Sequence, residues 1–585
     1  MSTKNPEHAS SWGGACGDQA IAVVGMACRF PGANDVDTLW QLLREGVDAT
    51  GETPVERYDA KAMYSPHPAP GKVISLRSGY VDGVGNFDAE FFGMPENEAR
   101  SLDPQQRLLL MTAWEAFEDA GQVPSTLAGS RTGVYVGSMH LDYWDLVAKL
   151  GVEAISPSSV YNQRSVLSGR LSYTFDLRGP SITLDTACSS SLVAVHLACQ
   201  SLRLGETNIA LAAGVNLKLT PDEDVLLSQV RMLAPDGRCK FGDASANGFA
   251  PSDGVGVVVL KRLADALADG DRVHAVVLGS AVTNDGASSG SLLAPSVEGH
   301  VQMLRWAYEN AGVTPSEVDF VEAHGTGTPM IDPIEFAGLS EVLGEGRDQD
   351  RPLLVGSVKS NIGHTEGAAG IAALIKTALC LRHRRVAPSL HHHVPNPKVP
   401  WSELPVRVPT EPHPIEPVGR LAIAGISGQG ISSVNCHLVV GEADPAWRRA
   451  SKAQVTRTLP FAVSARTPAA LDDMLRRYIT YLSPGGQGRQ ESLLDVCFSA
   501  ATSREHHAHR LVFDASTAAE LVNKMERHLA GQTDVEAATA MAAVYRAGGS
   551  PDWAEVFEGE GRFVSLPHYP WQTIDFWLDD AAVTS

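Results

Sequence analysis

Three residues of the sequence have the types and the settings that thioester chemistry needs, one cysteine and two histidines. Cys188 lies in DTACSSSL (185–192), where an apolar run gives way to an apolar helical stretch, so we expect it in the first turn of that helix. Unsatisfied N–H groups at a helix start lower the pKa of a thiol and can stabilise an oxyanion. The alternative is a buried structural cysteine, because one well-placed cysteine is a weak signal.

Two histidine segments favour the catalytic interpretation. His324 in EAHGTGT (322–328) and His364 in KSNIGHTEGAAG (359–370) each follow a predicted strand. The small residues after His324 allow a ligand to approach the backbone closely. A cysteine with two histidines on loops after strands has the groups needed to move a proton and to stabilise an enolate. Either histidine alone would more often be a core or surface residue.

The elements that position these residues alternate between short apolar runs and helical stretches. The runs are rich in Val, Ile and Ala, which indicates strands buried on both faces, and the alternation predicts an α/β layered fold. Two series of runs of similar length indicate a duplicated unit. The runs cover 20–26, 132–139, 181–187, 209–217, 254–263, 273–282, 318–327, 353–363 and 421–428. The helical stretches cover 103–121, 189–205 and 296–312, and 189–205 is apolar nearly all round, so we expect it between layers.

The chain divides into four parts by composition. At 585 residues it exceeds what one core organises. We predict a loose polar tail over 1–19, the catalytic unit over 20–443, a small α/β module over 444–546 and an aromatic segment over 547–585. In the small module, Thr467 and Pro468 begin a helix. The aromatic residues of the last segment should pack back on the body of the protein.

Charge and cysteine usage exclude several classes of protein. A net charge of −21 argues against a nucleic-acid-binding surface and predicts weak binding to anionic membranes. The sequence has neither an apolar run of about 18 residues nor a secretory signal. Eight cysteines are spread through the chain without C-x-x-C pairs, which is typical of reduced thiols. We therefore expect a cytoplasmic protein.

Four motifs in order carry a resemblance to a known family. DTACSSSL, EAHGTGT, DPIE (332–335) and KSNIGHTE occur at spacings that resemble the ketosynthase domains of modular polyketide synthases. FDAEFFGM, LDPQQRLLL and MLAPDGRCK add to the resemblance, which covers about residues 20–443. It implies the thiolase-like αβαβα five-layer fold and a homodimer. It also implies a substrate delivered as a thioester on the phosphopantetheine arm of an acyl carrier protein, with no bound cofactor.

The resemblance also implies roles for individual residues. Cys188 matches the nucleophile that takes the acyl group, and His324 and His364 match the pair that polarises the extender and stabilises the enolate. Lys359 and Glu366 match the supporting charged residues, for which a structural ion pair is the alternative. The expected contacts to the pantetheine arm or the substrate are Thr326, Thr328, Ser427, Gln429 and Asn435.

The resemblance continues past the catalytic unit. Two segments, FAVSARTPAALDDMLRRY and FVSLPHYPWQTIDFWL, resemble the linker domain and the wrap-around segment that flank an acyltransferase. Only about fifteen residues (532–546) lie between them, too few for an acyltransferase domain. We therefore expect a free-standing protein. Such a protein would work with trans-acting polyketide synthase modules, and a scaffold subunit would use the linker domain to recruit a trans-acting acyltransferase.

One loop departs from the family. Extending ketosynthases usually have SSFGFSGTNAHV, and this chain has SGQGISSVNCHLV (427–439). Gln429 replaces a phenylalanine that gates the pocket, whereas the backbone N–H at that position still suits an oxyanion hole. The changed loop and the free-standing form resemble the ketosynthase-like cyclase of salinosporamide-type biosynthesis. This resemblance predicts intramolecular aldol cyclisation of an acyl or aminoacyl chain, of the γ-lactam/β-lactone type, without extension.

Three other functions stay open. The same residues suit decarboxylative Claisen extension with malonyl-carrier protein. A non-catalytic docking or scaffold subunit would not need Cys188, His324 and His364. An acyl-transferring or hydrolytic Cys–His enzyme would not need Lys359 and Glu366 as well.

Overall fold

A computed structural model describes residues 19–155, 157–291, 293–347, 350–448, 457–532 and 540–577. The predicted tail over 1–19 lies almost wholly outside these ranges. The strands are β1 (Ile21–Arg29), β2 (Thr50–Glu52), β3 (Arg77–Gly79), β4 (Asn86–Phe87), β5 (Thr132–Ser138), β6 (Ser181–Leu184), β7 (Ile209–Asn216), β8 (Gly254–Arg262), β9 (Ala275–Asn284), β10 (Phe320–Glu322), β11 (Leu353–Gly356), β12 (Arg385–Val386), β13 (Val406–Arg407), β14 (His413–Pro414), β15 (Ile423–Gln429), β16 (Val434–Glu442), β17 (Leu459–Ala465), β18 (His509–Ala515) and β19 (Ile574–Asp575).

Helices connect and cover these strands. They are α1 (Val36–Glu45), α2 (Ala60–Met63), α3 (Glu96–Ser101), α4 (Pro104–Ala120), α5 (Pro124–Leu127), α6 (Asp142–Lys149), α7 (Val166–Thr174), α8 (Ser190–Arg203), α9 (Asp222–Gln229), α10 (Leu263–Asp269), α11 (Val297–Ala311), α12 (Ile331–Leu343), α13 (Lys359–Ile362), α14 (Ala369–Arg382), α15 (Pro468–Leu482), α16 (Leu493–Thr502), α17 (Ala518–Leu529), α18 (Ala540–Arg546) and α19 (Trp553–Val556).

Eleven strands form one continuous sheet in the order β13-β11-β10-β15-β16-β9-β1-β8-β7-β5-β6. The pairing pattern occurs twice. In the first half, β6, β5 and β7 are parallel and are followed by antiparallel β8 and β1. In the second half, β11, β10 and β15 are parallel and are followed by antiparallel β16 and β9. The two halves join where β1 pairs with β9, so the predicted duplication is a repeated strand topology.

Helices α8 and α14 pack against each other between the two halves of the sheet. Helix α8 contacts β5 and β7 in the first half, and α14 contacts β15 in the second. Helix α4 covers β1 and β8 on the outside of one half, and α11 covers β9 and β16 on the other. The result is the predicted αβαβα layering. As expected from its apolar sequence, most of α8 is buried.

The close approach of α8 to the sheet depends on a glycine. A Cβ atom at Gly137 on β5 would lie 2.4 Å from the backbone nitrogen of Ser191 in the first turn of α8. Such a contact does not occur between real atoms, so a larger residue would push the helix start away from the sheet. The helix start is the part of α8 that follows Cys188.

The linker module packs on the catalytic unit through the last turns of α4. Strands β17 and β18 pair antiparallel, and Thr467 caps α15 as predicted, its side chain accepting from Ala470 N. Three buried carboxylates of α4, Glu115, Glu118 and Asp119, hold partners from several segments, and we call them with their partners the α4 junction. Those partners are Arg29, Arg272, His274, Arg504, His568, Tyr569 and Trp571.

The aromatic C-terminal segment packs back on the body, as its composition predicts. The ring of Trp571 lies 4.8 Å from that of Phe91 in an edge-to-face arrangement. Phe576 is buried, and its backbone N–H donates to the carbonyl oxygen of Gly85. Strand β19 then pairs with β4.

Candidate active site

The candidate catalytic residues lie at the carboxyl ends of parallel strands in both halves of the sheet. The loop after β6 carries Cys188, and the loop after β10 carries His324. His364 lies on the segment after β11, and Gln429 is the last residue of β15. Ligand sites of α/β proteins form at this edge because parallel strands end there together.

The nucleophile loop places Cys188 just before helix α8. The strand ends at Leu184 and the helix begins at Ser190, so Cys188 precedes the first helical turn instead of lying in it as predicted. Ala187 has a φ of 58°, which is a costly conformation for a residue with a Cβ atom. Side-chain hydrogen bonds hold the turn, since Asp185 Oδ1 accepts from Ala187 N at 2.9 Å. The turn presents the sulfur at a fixed position.

Burial raises the pKa of the Cys188 thiol to about 12, with a further increase from Glu366 and a smaller opposing effect of Lys359. This overturns the expectation of a lowered thiol pKa. The physical reason is that the sulfur loses its hydration in the pocket, and a helix start does not compensate for that loss. The charges near the sulfur therefore decide how readily the thiolate forms.

The two histidine rings are nearly perpendicular, but each uses Nδ1 to accept a hydrogen bond from a backbone N–H group. The centroids of the His324 and His364 rings lie 5.4 Å apart at an interplanar angle of 82°. Nδ1 of His324 accepts from the backbone N–H of Gln429 at 3.3 Å, and Nδ1 of His364 accepts from the backbone N–H of Glu366 at 3.1 Å. A neutral imidazole that accepts at Nδ1 carries its proton on Nε2. Both rings thus carry an Nε2–H that has no hydrogen-bond partner in the described parts of the chain and can bind a substrate oxygen.

Both imidazoles are neutral at physiological pH. Burial and the nearby Lys359 lower the pKa of His364 to about 3, and the same two causes hold the pKa of His324 well below its usual value. Lys359 itself is buried, and Glu322 and Glu335 are its acidic neighbours. Because the histidines are uncharged, they act as hydrogen-bond donors and not as cations.

The DPIE segment fixes the His324 loop. Glu335 accepts from the backbone N–H groups of His324 and Gly325 at 2.7 and 2.8 Å. Asp332 accepts from Gly327 N at 3.1 Å and from Gly242 N at 2.9 Å. Burial raises the pKa of both carboxyl groups to about 7. These hydrogen bonds therefore hold backbone N–H groups in place, and none of them is made to a side chain of the pocket.

Cys188, His324 and His364 line one narrow cavity of about 90 Å³. Of the other predicted site residues, Thr326, Glu366, Gln429 and Asn435 also line it. Lys359, Thr328 and Ser427 do not. Thr328 shares a hydrogen bond with Thr326, and Ser427 bonds to Nδ1 of His437 at 2.9 Å.

Gln429 differs from its predicted use. Its backbone N–H, expected in an oxyanion hole, donates to His324 in this structure. Its side-chain Nε2 lies 3.0 Å from Nδ1 of His300, and its buried Oε1 has no hydrogen-bond partner among the described residues. The side chain is thus held at one end and unsatisfied at the other.

Four polar residues near the site were missed by the sequence analysis. Glu223 and Asp285 line the cavity, His300 contacts Gln429, and His140 contacts Glu366 at 2.7 Å. Burial raises the pKa of both Glu223 and Asp285. His140 and Asp285 directly follow strands, which is the signal that identified His324, whereas nothing in the sequence marks His300 or Glu223 on their helices.

Within the ranges that the structure describes, no group of three or more His, Cys, Asp or Glu side chains is arranged to hold a metal ion. The seven cysteines in those ranges are free thiols. None of the helices in the described parts is both long and apolar enough to cross a bilayer.

Family models match three parts of the chain. They are described as the N-terminal domain of beta-ketoacyl synthase over 18–266, its C-terminal domain over 274–393, and a CurL-like polyketide synthase C-terminal region over 460–525. Curated relatives include polyketide synthase GfsA of Streptomyces halstedii, 45% identical over 93% of this chain. Another is erythronolide synthase EryA2 of Saccharopolyspora erythraea, 44% identical over 88% of this chain. The chain spans only 7% and 14% of those two relatives.

Solved structures of similar proteins match along their whole length. The ketosynthase domain OzmH KS7 from the oxazolomycin system of Streptomyces albus JA3453 has a TM-score of 0.87 at 36% identity, covering 97% of this chain and 100% of that one. The ketosynthase from module 6 of the bacillaene synthase of Bacillus subtilis 168 has a TM-score of 0.86 at 33% identity, covering 96% and 100%.

Proposed function

Because this chain belongs to the β-ketoacyl synthase family, as a ketosynthase of the polyketide synthase type, we propose that it captures an acyl chain on Cys188 and then forms a carbon–carbon bond. The observation that carries the proposal is the shared pocket. Cys188 lines the same cavity as two neutral imidazoles whose Nδ1 atoms are occupied by backbone N–H groups. Each ring is left with an Nε2–H for a substrate oxygen.

Capture is a thioester exchange. The Cys188 sulfur attacks the carbonyl carbon of an acyl group carried on the phosphopantetheine arm of an acyl carrier protein. The carbon–sulfur bond to the arm breaks, and the arm leaves as a thiol with the proton that Cys188 gave up. No other cofactor is needed. Thr326 lines the cavity, which supports a contact of its side chain with the arm.

The bond-forming step needs an enolate, and the two histidines provide its stabilisation. Donors already aimed at the place where negative charge develops cost no reorganisation during the reaction. The Nε2–H groups of His324 and His364 are such donors, because burial keeps both rings neutral.

We favour an enolate formed on the captured chain itself, followed by intramolecular aldol addition of the γ-lactam/β-lactone type on an acyl or aminoacyl chain. The acidic side chains of the cavity support this chemistry. A malonyl extender would bring another carboxylate next to Glu223 and Asp285, which like-charge repulsion disfavours. Gln429 adds a hydrogen-bonding amide to the wall in place of an aromatic ring.

The proton balance of this step closes within the pocket. Glu223, whose pKa is raised by burial, takes the proton from the carbon next to the thioester carbonyl, and the electron pair moves to the carbonyl oxygen. The enolate carbon then attacks a second carbonyl of the chain, and the new alkoxide attacks the thioester carbonyl to close the β-lactone. The carbon–sulfur bond to Cys188 breaks, and the released thiolate takes the proton from Glu223. No atom is gained or lost.

The second candidate is decarboxylative Claisen condensation with malonyl-carrier protein. The intact histidine pair favours it, since both rings are free to bind an extender carbonyl. A non-catalytic docking or scaffold role is the remaining alternative.

Intact-mass measurement after incubation with an acyl-carrier-protein substrate decides among these. A covalent adduct absent from Cys188→Ala supports capture, and no adduct in the native protein would leave only the scaffold. Turnover without malonyl-carrier protein, to a product of unchanged chain length, supports cyclisation. A requirement for malonyl-carrier protein with gain of a two-carbon unit overturns it in favour of extension.

A homodimer is part of the proposal. Strand β6 is an edge of the sheet, and Ile182 on it is exposed, as are the nearby chain segments with Tyr161 and Tyr173. An exposed apolar edge strand is a surface that a second copy can extend. Light scattering of the purified protein tests this, and a monomer at micromolar concentration would contradict it.

A further inference from the structure

His140 forms an ion pair underneath the candidate nucleophile. It lies in the loop after β5, with a side chain only 13% exposed, and its Nε2 is 2.7 Å from Oε2 of Glu366. The Glu366 side chain is 2% exposed, and the same oxygen accepts from Asn216 Nδ2 at 3.0 Å. A buried pair of this kind fixes the position of both side chains.

Each partner changes the charge of the other. Burial opposes a charge on His140, but Glu366 outweighs it and raises the pKa of His140 to about 9, so the ring is an imidazolium at neutral pH. Burial likewise opposes a charge on Glu366, but His140 holds the pKa of that carboxyl group at about 2. The pair is therefore ionised throughout the physiological range.

Glu366 matters because it lies beside the sulfur. Both Glu366 and Cys188 line the cavity, and after burial Glu366 is the largest cause of the raised pKa of Cys188. An unpaired carboxylate at that place would oppose the thiolate more strongly, since Coulomb energies grow in a poorly hydrated site. His140 is the cation in hydrogen-bonding contact with this carboxylate.

Other charged groups face the pair from neighbouring elements. Asp142 and Glu223 stabilise the imidazolium, whereas Lys218 and the neutral ring of His364 lie near Glu366. Of these, Lys218 is already paired with Asp224 at 2.7 Å. The remaining cation near the sulfur is Lys359, which lies between Glu322 and Glu335. Neither lysine takes the place of His140.

We propose that His140 is a positioning residue for acyl capture: its imidazolium holds the Glu366 carboxylate and offsets the charge which that carboxylate places beside the Cys188 sulfur. The inference rests on the proposed role of Cys188 as the nucleophile. It assigns a function to a histidine that does not line the cavity and does not touch the substrate.

The molecule offers a matched control. His274 and Asp119 form another buried histidine–carboxylate pair, with 2.8 Å between His274 Nε2 and Asp119 Oδ2. His274 precedes β9, and the other end of this ten-residue strand is next to the cavity, a separation of about 30 Å. A purely structural effect of losing a buried pair appears in both variants, but an effect on the sulfur appears only at His140.

The experiment measures the rate of Cys188 alkylation by iodoacetamide between pH 6 and 10, read on the Cys188 peptide by mass spectrometry. We expect His140→Gln to slow alkylation roughly tenfold throughout this range, because the thiolate fraction falls tenfold for a rise of about one unit in the thiol pKa. Glu366→Gln should move it downward. The double variant His140→Gln/Glu366→Gln should return to within about half a unit of the native value, because the uncompensated charge is gone.

An unchanged profile in His140→Gln, or the same shift in His274→Gln, overturns the proposal. If His140→Gln does not fold, Glu366→Gln decides alone, since an unchanged or raised thiol pKa in that variant is incompatible with the charge argument. Alkylation does not require an acyl substrate. Failure of carrier-dependent acylation with a normal alkylation shift would thus refute the proposed function and leave the role of His140 intact.

Discussion

The α4 junction and the active-site cavity both bury charged and polar groups, but they satisfy them differently. At the junction each of the three carboxylates has a cation or an N–H donor. Glu118 accepts from Tyr569 N at 2.9 Å and has Arg504 and His568 within 4 Å. In the cavity wall, by contrast, the acceptors Oε1 of Gln429 and Oδ2 of Asp285 are buried without a hydrogen bond in the described residues. The junction atoms in the same condition are nitrogens of its cations, among them Nε of Arg272 and Nε of Arg504. Asn435 and Ser296 lower the pKa of Asp285, but burial raises it by more.

The pKa directions follow the same division. Burial would raise the pKa of Asp119, but Arg272 and His274 hold it well below its usual value. For Glu223 and Asp285 in the cavity, burial outweighs the effect of their neighbours, so their pKa values stay raised. Paired charge holds the linker module and the C-terminal segment in place. Acceptors without a hydrogen-bond partner among the described residues lie in the cavity wall, where a substrate can supply the missing donors.

The prediction with the largest expected effect removes a hydrogen-bond donor from the cavity. We expect His364→Ala to slow carbon–carbon bond formation by about 10²- to 10³-fold, because one of the two Nε2–H donors to the enolate oxygen is lost. Cys188 acylation should persist, since it precedes the enolate. Single-turnover product formation and intact mass of the acyl-enzyme measure the two steps. A variant that loses acylation as strongly as bond formation would show that His364 acts in capture instead.

Glu118→Gln removes one of the three carboxylates of the α4 junction. Removing this carboxylate takes the counter-charge from buried Arg504 and from His568, whose side chain is 25% exposed, and we expect a loss of about 3 kcal/mol in the free energy of unfolding. Denaturant unfolding measures it. The control is Glu341→Gln on the exposed pair with Arg305, where both side chains are at least 51% exposed and at most about 0.5 kcal/mol should change. Equal effects in the two variants would contradict the division.

Acid should weaken the junction, because burial keeps His274 neutral there. Burial lowers the pKa of His274 from 6.5 to about 4, so between these values the unfolded state binds more protons and stability falls as the pH falls. The stability that Asp119 contributes is lost only at still lower pH, because its folded pKa is depressed. We expect His274→Gln to remove roughly 2 kcal/mol of the loss between pH 6.5 and 4. Parallel pH–stability curves for the two proteins would refute this.

The smallest expected effect concerns the hairpin tip in the cavity wall. Ser433 has a φ of 63°, a conformation that glycine adopts without strain. Ser433→Gly should therefore raise the free energy of unfolding by about 0.5 to 1 kcal/mol. Ser432→Gly, at the neighbouring position, is the control and should not stabilise. A destabilised Ser433→Gly would mean that the serine side chain, and not the backbone, sets the stability of the tip.

Much of the framework could be predicted from the sequence because it depends on local pattern. Each apolar run contains a strand, although the end of the run 353–363 forms helix α13 instead, and the stretch 103–121 became α4 within one residue at either end. Cys188 and His324 were identifiable because each lies in a loop after a strand, whereas His364 follows the short helix α13 and not the strand predicted there. The module boundaries stay predictions.

What the sequence did not reveal depends on contacts between distant segments. His300 and Gln429 are 129 residues apart, and His140 and Glu366 are 226 apart, so no spacing rule connects them. The thiol pKa was predicted in the wrong direction, since local helix geometry is visible in the sequence and the depth of burial is not. The acidic neighbours of Lys359 are Glu322 and Glu335, and Glu366 pairs with His140.

The hairpin of β15 and β16 has a consequence for how such enzymes diversify. At its tip, a Cβ atom on Gly430 would lie 2.2 Å from the carbonyl oxygen of Thr186 in the nucleophile loop, so this one position cannot change without moving Cys188. The flanking positions 429 and 431 line the cavity and carry no such restriction. Mutation can therefore alter what happens to a captured chain while the capture step is inherited unchanged. A library built at these flanking positions, with Gly430 kept, would explore new reactions on an acyl-enzyme that still forms.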